Sequence, residues 1–384
     1  MPRNILISAG EASGDLYAAL LADELRHLWP EVHFFGCTGP RMRSAGVETV
    51  VDAASLAVVG LVEVASHIPR IYREYRKLQA VARDRRPDLA ILTDSPDFHL
   101  RLAGRLHRQG VPVVYLVAPQ VWAWREGRLR GMRRTLRQVL CIFPFEEEFF
   151  RSRGLPATYI GHPLAGLVKP SLSRAEFFRK HRLPAGRPLV SVLPGSRRGE
   201  AARHLPPLLD AVERLYRDHA ATFILPASAT AGVGFFQERI GGTPIQVIDG
   251  ENWEAIAYAD LALAASGTVT VEAALLGTPM VTYYKVTAAS WLLGRLLVRV
   301  PFYSMVNLIA GRAVVPELMQ SNLTGERLAA EARRLLHDDA ARAQMRADLA
   351  DVAARLSVTG RPMARASAII LELMEGQLTH VSQQ

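Results

Sequence analysis

The sequence predicts an α/β protein made of two Rossmann-like, doubly wound domains followed by a helical C-terminal tail. Three observations carry that expectation. Short apolar runs alternate with segments of helical period almost from end to end, the pattern of parallel sheets covered by helices. A stretch from Gly161-His162-Pro163 to Lys169-Pro170 breaks the alternation and reads as a linker. At 384 residues the chain is also long for a single core.

In order, the first series of strands is read at Asn4–Ser8, Val32–Gly36, Leu89–Thr93, Pro112–Val117, Val139–Ile142 and Thr158–Ile160. Helical stretches such as Asp15–Leu28 and Ile71–Arg85 separate them. A second series follows at Leu189–Leu193, Thr222–Leu225, Ile245–Ile248, Leu261–Ala264 and Met280–Tyr284. From Thr324 the pattern is helical to near the end. The expected domains are 1–165 and 166–345, with the helices of 346–384 packing back on the first. Ligands of such sheets bind beyond the carboxyl ends of the strands, so the cleft between the domains is the expected site.

Composition narrows the class. The chain is 49% hydrophobic, with no low-complexity tract. Its two cysteines, Cys37 and Cys141, form no disulfide framework and no metal spacing, which fits a reducing cytoplasm. The N-terminus enters a strand without an apolar signal region, and no uncharged apolar run reaches the ~18 residues of a membrane span. A net charge of +9 calls for nucleic acid, an anionic membrane surface or phosphorylated small molecules as partner. Zinc-finger spacings and an aromatic–basic RNA signature are both missing, so no nucleic acid partner is expected.

Five segments fall at strand ends. In LALAASGTVTVEAALLGTPM, Ser266, Gly267 and Thr268 form a turn into a helix. Its free N–H groups and dipole suit a phosphate or pyrophosphate. Glu272, four residues on, lies on the same face, within reach of an attached ribose. In ISAGEASGD, Gly10 and Gly14 permit close backbone approach and Ser13 can cap a helix. In LTDSPDF, Asp94 and Asp97 pass the strand's last apolar residues, where each can cap the next helix or take a proton from a sugar hydroxyl. In VLPGSRRGE, Gly195 allows a turn beside Ser196, and Arg197 offers a fork for a diphosphate. Trp122 and Trp124, with arginines 125, 128, 130, 133, 134 and 137, suit a bulky, anionic, partly apolar substrate.

Several chemistries find no motif. GxGxxG, the Walker spacing, GxSxG, a DxD triplet and a His/Asp metal cluster are all absent from the sequence. No cofactor and no metal are expected. The histidines read as surface or capping residues, with His99 and His162 bordering the segments above.

Together the strings AGEASGD (9–15), DSPDF (94–98), PQVWAWREGR (119–128), PFEEEFF (144–150), IGHPL (160–164), LPGSR (193–197), SGTVTVEAALLGTPMV (266–281) and NLIAG (307–311) resemble the lipid A disaccharide synthases of Gram-negative bacteria. The resemblance implies a metal-independent, inverting GT-B glycosyltransferase of lipid A biosynthesis. Its reaction joins UDP-2,3-diacylglucosamine to 2,3-diacylglucosamine 1-phosphate through a β-1,6 bond and releases UDP. The first domain would then hold the acceptor and the second the UDP-sugar.

On the same resemblance Asp97 is the base. Arg197 and the Ser266–Thr268 helix start hold the leaving diphosphate, and Gly195 and Ser196 belong to that donor site. Glu272 binds the ribose, and Asn307 lies near the donor. Gly10, Glu11, Ser13, Gly14, Asp94 and Gln120 contact substrate. His99 stands where the family commonly has Asn, and Val306 where Pro often precedes NLIAG. A UDP-N-acetylglucosamine 2-epimerase or the muramyl-pentapeptide glycosyltransferase is the rival, opposed by AGEASGD and PQVWAWREGR.

Acylated substrates imply a cytoplasmic enzyme peripherally bound to the anionic inner-membrane surface, and a homodimer is left open. Leu56–Lys77, whose apolar residues precede Arg70, Arg73, Arg76 and Lys77, is the first docking candidate. Tyr283–Tyr303, with Trp291, Leu292, Leu293, Arg295 and Arg299, is the second.

Overall fold

All strand pairs of the two sheets run parallel. The computed structural model describes residues 3–56, 61–218, 221–298 and 300–381; side chains 61–68, 289, 293, 295–297 and 376–381 lie outside that description. The chain divides into two compact units, 1–163 with 358–384, and 164–357.

In the first unit the order is β1 (Asn4–Ser8), α1 (Ala12–Leu28), β2 (His33–Thr38), α2 (Pro40–Ser44), β3 (Glu48–Asp52), α3 (Leu61–Arg85), β4 (Leu89–Thr93) and α4 (Pro96–Arg108). Then come β5 (Val113–Leu116), α5 (Val121–Trp124), α6 (Leu129–Thr135), β6 (Gln138–Cys141), α7 (Pro144–Arg151) and β7 (Ala157–Tyr159). The sheet order is β3-β2-β1-β4-β5-β6-β7. Every residue of β4 and β5 is buried, as apolar runs without alternation require in a sheet covered on both faces. Leu6, Phe35, Leu92, Tyr115 and Val139 fill the core beside them.

The second unit runs α8 (Arg174–Lys180), β8 (Leu189–Leu193), α9 (Arg198–Arg217), β9 (Thr222–Ala227), α10 (Val233–Ile240), β10 (Ile245–Asp249), α11 (Asn252–Ala257) and β11 (Leu261–Ala265). It continues with α12 (Thr268–Leu275), β12 (Met280–Tyr284), α13 (Ala288–Leu297), α14 (Met305–Ala310), β13 (Glu317–Met319), α15 (Gly325–His337) and α16 (Asp339–Leu356). Its sheet order is β10-β9-β8-β11-β12-β13.

The C-terminal helices divide. α15 packs on α9, and α16 packs on α12 and α14, all within the second unit. The last helix, α17 (Pro362–Val381), packs on α1 and buries Met363, Ala366, Ile370 and Met374 in the first unit.

Each sheet has one place where strand order reverses: between β1 and β4, and between β8 and β11. Doubly wound sheets open a crevice at such a switch point. The segments after those four strands are Gly10–Gly14, Asp94–Asp97, Pro194–Arg197 and Ser266–Thr268. Among the described residues no helix is long and apolar enough to cross a membrane.

Candidate functional sites at the strand ends

In the first unit the loops after β1 and β4 are tied by one carboxylate. Asp94 Oδ1 accepts the Gly10 N–H at 2.8 Å, and Oδ2 accepts the Glu11 N–H at 3.0 Å. That approach needs the small residues: a Cβ on Gly14 would sit 1.8 Å from Asp94 Oδ2. Asp94 and Ser95 both have left-handed backbone, at φ 51° and 34°. Two successive non-glycine residues in that region are unusual and strained.

Beneath the loop lies a buried polar chain. The Tyr115 hydroxyl donates to the Asp94 carbonyl at 2.5 Å, and His99 Nδ1 lies 3.1 Å from the same oxygen. Because a carbonyl only accepts, Nδ1 carries the proton, and Nε2 accepts a hydrogen bond from the Ser8 hydroxyl at 2.8 Å. Burial drives the His99 pKa down to about 4, which fixes the ring as neutral. Burial also lifts the Asp94 carboxyl to about 7, against the pull of the Gly10 and Glu11 N–H groups.

Asp97 has different surroundings. Its side chain is 68% exposed and clamped by arginines: Arg125 Nη1 donates to both oxygens at 3.0 and 3.1 Å, and Arg128 also pairs with it. Glu11, Ser13 and Gln120 are exposed at helix starts. Ser13 does not cap α1, which begins one residue earlier behind Glu11.

Two other motif acids are architectural. Asp15 is buried and accepts the N–H groups of Gly39, Arg41 and Met42, fixing the start of α2. Glu146 is buried in PFEEEFF and accepts from Trp122 Nε1 at 3.0 Å and the Phe143 N–H at 3.1 Å. It therefore locks one tryptophan of PQVWAWREGR, while Trp124 is exposed with the Arg125 guanidinium 4.0 Å over its ring. The histidines depart from expectation: His99, His162 and His204 are buried.

In the second unit Gly195, at φ 111°, turns the chain after β8, where a Cβ would lie 2.9 Å from Glu200. Ser196 and Arg197 are exposed, with Arg197 at the N-cap of α9. His204 braces this loop: Nδ1–H donates to the Pro194 carbonyl at 2.8 Å, and Nε2 accepts the Lys285 N–H at 2.9 Å.

After β11, Gly267 is the N-cap of α12 and no side chain caps the helix. Gly267 and Thr268 are exposed. Glu272 Oε1 accepts from Trp253 Nε1 at 3.3 Å, and burial raises its pKa.

Asn307 uses its whole amide internally. Nδ2 donates to the Val315 carbonyl and Glu317, while Oδ1 accepts the Val314 and Val315 N–H groups. Glu317 also accepts the Tyr303 and Ser304 N–H groups, and the Tyr303 carbonyl accepts the Ser266 hydroxyl at 2.9 Å. Asn307 thus holds the strand end at Ser266 and has no amide atom left for a ligand. Sequence reasoning gave no signal for Tyr115, His204 or Trp253: each lies in an ordinary run, and only the fold brings it to its partner.

Comparison with known proteins now decides the family. A family model described as lipid-A-disaccharide synthetase matches residues 5–368. The chain belongs to the lipid-A-disaccharide synthetase family. The lipid-A-disaccharide synthase of Solibacter usitatus (strain Ellin6076) is 71% identical over 383 residues, covering 100% of each chain. The chain is therefore a glycosyltransferase of lipid A biosynthesis.

Solved structures share the GT-B fold at low identity. A putative UDP-N-acetylglucosamine 2-epimerase from Listeria monocytogenes has TM-score 0.62 at 14% identity, covering 99% of this chain and 98% of its own. The glycotransferase of kitacinnamycin has TM-score 0.63 at 16% identity, covering 97% and 99%. Synthetase and epimerase share an architecture, so the strand-end residues must separate them.

Proposed function

We propose that this synthetase joins UDP-2,3-diacylglucosamine to 2,3-diacylglucosamine 1-phosphate through a β-1,6 bond, with Asp94 as the base. The acceptor's 6-hydroxyl passes its proton to the Asp94 carboxylate as its oxygen bonds to C1 of the donor. The bond from C1 to the diphosphate breaks, its electron pair leaves with UDP, and C1 inverts. The observation that carries the choice of base is the Asp94 pKa of about 7 on a carboxylate fixed by two N–H groups. A base serves best when its pKa lies near the working pH. Family resemblance points instead to Asp97, whose exposed carboxylate is already engaged by Arg125 and Arg128.

The donor's diphosphate is assigned to Arg197 and the uncapped start of α12. Guanidinium and helix dipole there oppose the charge that develops on the leaving group. Glu272, held by Trp253, faces the ribose hydroxyls. Peripheral docking on the anionic cytoplasmic membrane face belongs to this reading, because both sugars are acylated. Arg70, Arg73, Arg76 and Lys77 are exposed on α3, while Val58, Val59 and the side chains of Leu61, Val62 and Ile68 lie outside the described residues. In the second docking candidate Leu292 is 65% exposed, and the side chains of Leu293 and Arg295 and all of Arg299 lie outside the description. Sedimentation with anionic vesicles tests the docking, which fails if the protein stays in the supernatant at low salt.

UDP release tests the reaction. UDP should form only when both sugars are present. Asp94→Asn should lower kcat by ~10² or more while donor affinity persists. UDP formed from the donor alone, or near-normal turnover by Asp94→Asn, overturns the reaction or the base respectively.

A further inference from the structure

The first unit holds an open cavity of about 1380 Å³ that the proton-transfer scheme does not use. Glu11, Ser95 and Asp97 line one side, so it adjoins the Asp94 loop. Arg101, Arg105 and Arg108 of α4 line it as well. Their i, i+4, i+7 spacing puts all three on one helix face. Arg134 joins them from α6, which packs against α4. Arg101, Arg105 and Arg134 are exposed, and among the described residues the cavity's Asp97 pairs with Arg125 and Arg128 instead. Like charges one helical turn apart oppose folding, so stability gives no reason for the cluster.

Two further features point to a ligand. Gly104 and Gly131, on the two helices, line the cavity, and a Cβ on Gly131 would meet nothing within 4 Å. Tyr72, Tyr75, Phe98 and Met132 form an apolar stretch of the lining, with Arg128 and Thr135 also on the wall. The Tyr75 ring stands edge-on to Phe98 at 5.6 Å. Exposed guanidinium groups beside an aromatic wall suit an amphiphile that carries a phosphate.

We propose that this cavity anchors the phosphomonoester of the acyl-sugar acceptor on Arg101, Arg105 and Arg134, with an acyl chain along Tyr72, Tyr75 and Met132. The inference rests on the acceptor being a diacylated sugar phosphate. It makes these arginines specificity determinants: they read the acceptor's phosphate and leave the donor's diphosphate alone.

The test compares acceptors with and without the 1-phosphate in the full-length enzyme, dispersed in detergent. In Arg101→Ala/Arg105→Ala the KM for 2,3-diacylglucosamine 1-phosphate should rise about tenfold or more, as loss of charge-assisted hydrogen bonds implies. Donor KM should hold within about twofold, and preference for the phosphorylated acceptor should vanish. Gly131→Leu, whose Cβ would meet nothing within 4 Å and whose side chain would intrude on the cavity, should raise acceptor KM as well.

An unchanged acceptor KM in both variants overturns the proposal. So does an equal rise for the phosphate-free acceptor, since the arginines would then not read phosphate. Loss of binding to phosphatidylglycerol vesicles with normal acceptor KM overturns it in favour of a membrane headgroup. If wild type releases no UDP from the sugar pair, the reaction assignment fails instead. Calorimetric binding of 2,3-diacylglucosamine 1-phosphate to wild type and double variant then decides the cavity: tighter binding to wild type supports it, and equal binding overturns it.

Discussion

Asp94 and Asp97 stand three residues apart and meet opposite electrostatics. Burial holds the Asp94 carboxyl near pH 7, so the acidic limb of kcat/KM should titrate near 7 rather than near 4. Asp97→Asn should stay within about tenfold of wild type and keep that limb. A limb that moves with Asp97→Asn would return the base to Asp97.

Stability follows the same groups with a definite sign. Burial raises Glu146 to about 8 and Asp94 to about 7, so their stabilising contribution is full below the ordinary carboxyl range and is lost as pH rises through 7 to 8. The buried His99 and His162 are lowered to about 4 and about 3, so theirs is present above 6.5 and is lost as pH falls. Urea midpoints should therefore decline between pH 6.5 and 8. Glu146→Gln should flatten much of that decline; an undiminished slope would mean that Glu146 is ionised in the folded protein at neutral pH.

At the scale of elements, the glycine of the β11–α12 turn is one that the backbone does not require. Gly267 has φ 168°, extended backbone open to any residue, and a Cβ there meets nothing within 4 Å. Gly267→Val should thus leave thermal stability almost unchanged while raising donor KM about tenfold, because its side chain would stand where the diphosphate approaches. Unaltered donor KM would move the diphosphate away from α12.

The turn was legible because its signal is local: a buried strand, small residues, then a helix. The same holds for the eleven strands read from apolar runs. β3 and β13 escaped because only Val50 and Val51 of ETVVD are buried and ELM is only partly buried. Roles fixed by distant partners were not legible. Asp15 reaches Gly39, His204 bridges Pro194 and Lys285, and Asn307 holds Val314, Val315 and Glu317. Motif membership alone does not separate these supports from residues that face a ligand.

For the whole molecule, the two units differ in how the chain builds them. The second, 164–357, is one continuous segment, whereas the first needs 358–384 in addition to 1–163. The chain re-enters the first unit beside its point of exit: a Cβ on Gly161 would lie 2.6 Å from Val358 Cγ2. From there α17 buries Met363, Ile370 and Met374 to 6% exposure or less. At about 1.5–3 kcal/mol for each large side chain, these contribute about 5–9 kcal/mol, comparable to the whole stability of a domain. The fragment 1–163 should therefore fail to unfold cooperatively and should bind hydrophobic dye. Joining Pro163 to Val358 through about four Gly/Ser residues should restore a sharp transition, because the ends to be joined are neighbours. The fragment 164–357 should fold without help and bind UDP. Should 1–163 alone melt as sharply as the joined form, α17 is an accessory helix, and the first unit's stability resides wholly in its sheet and the helices of 1–163.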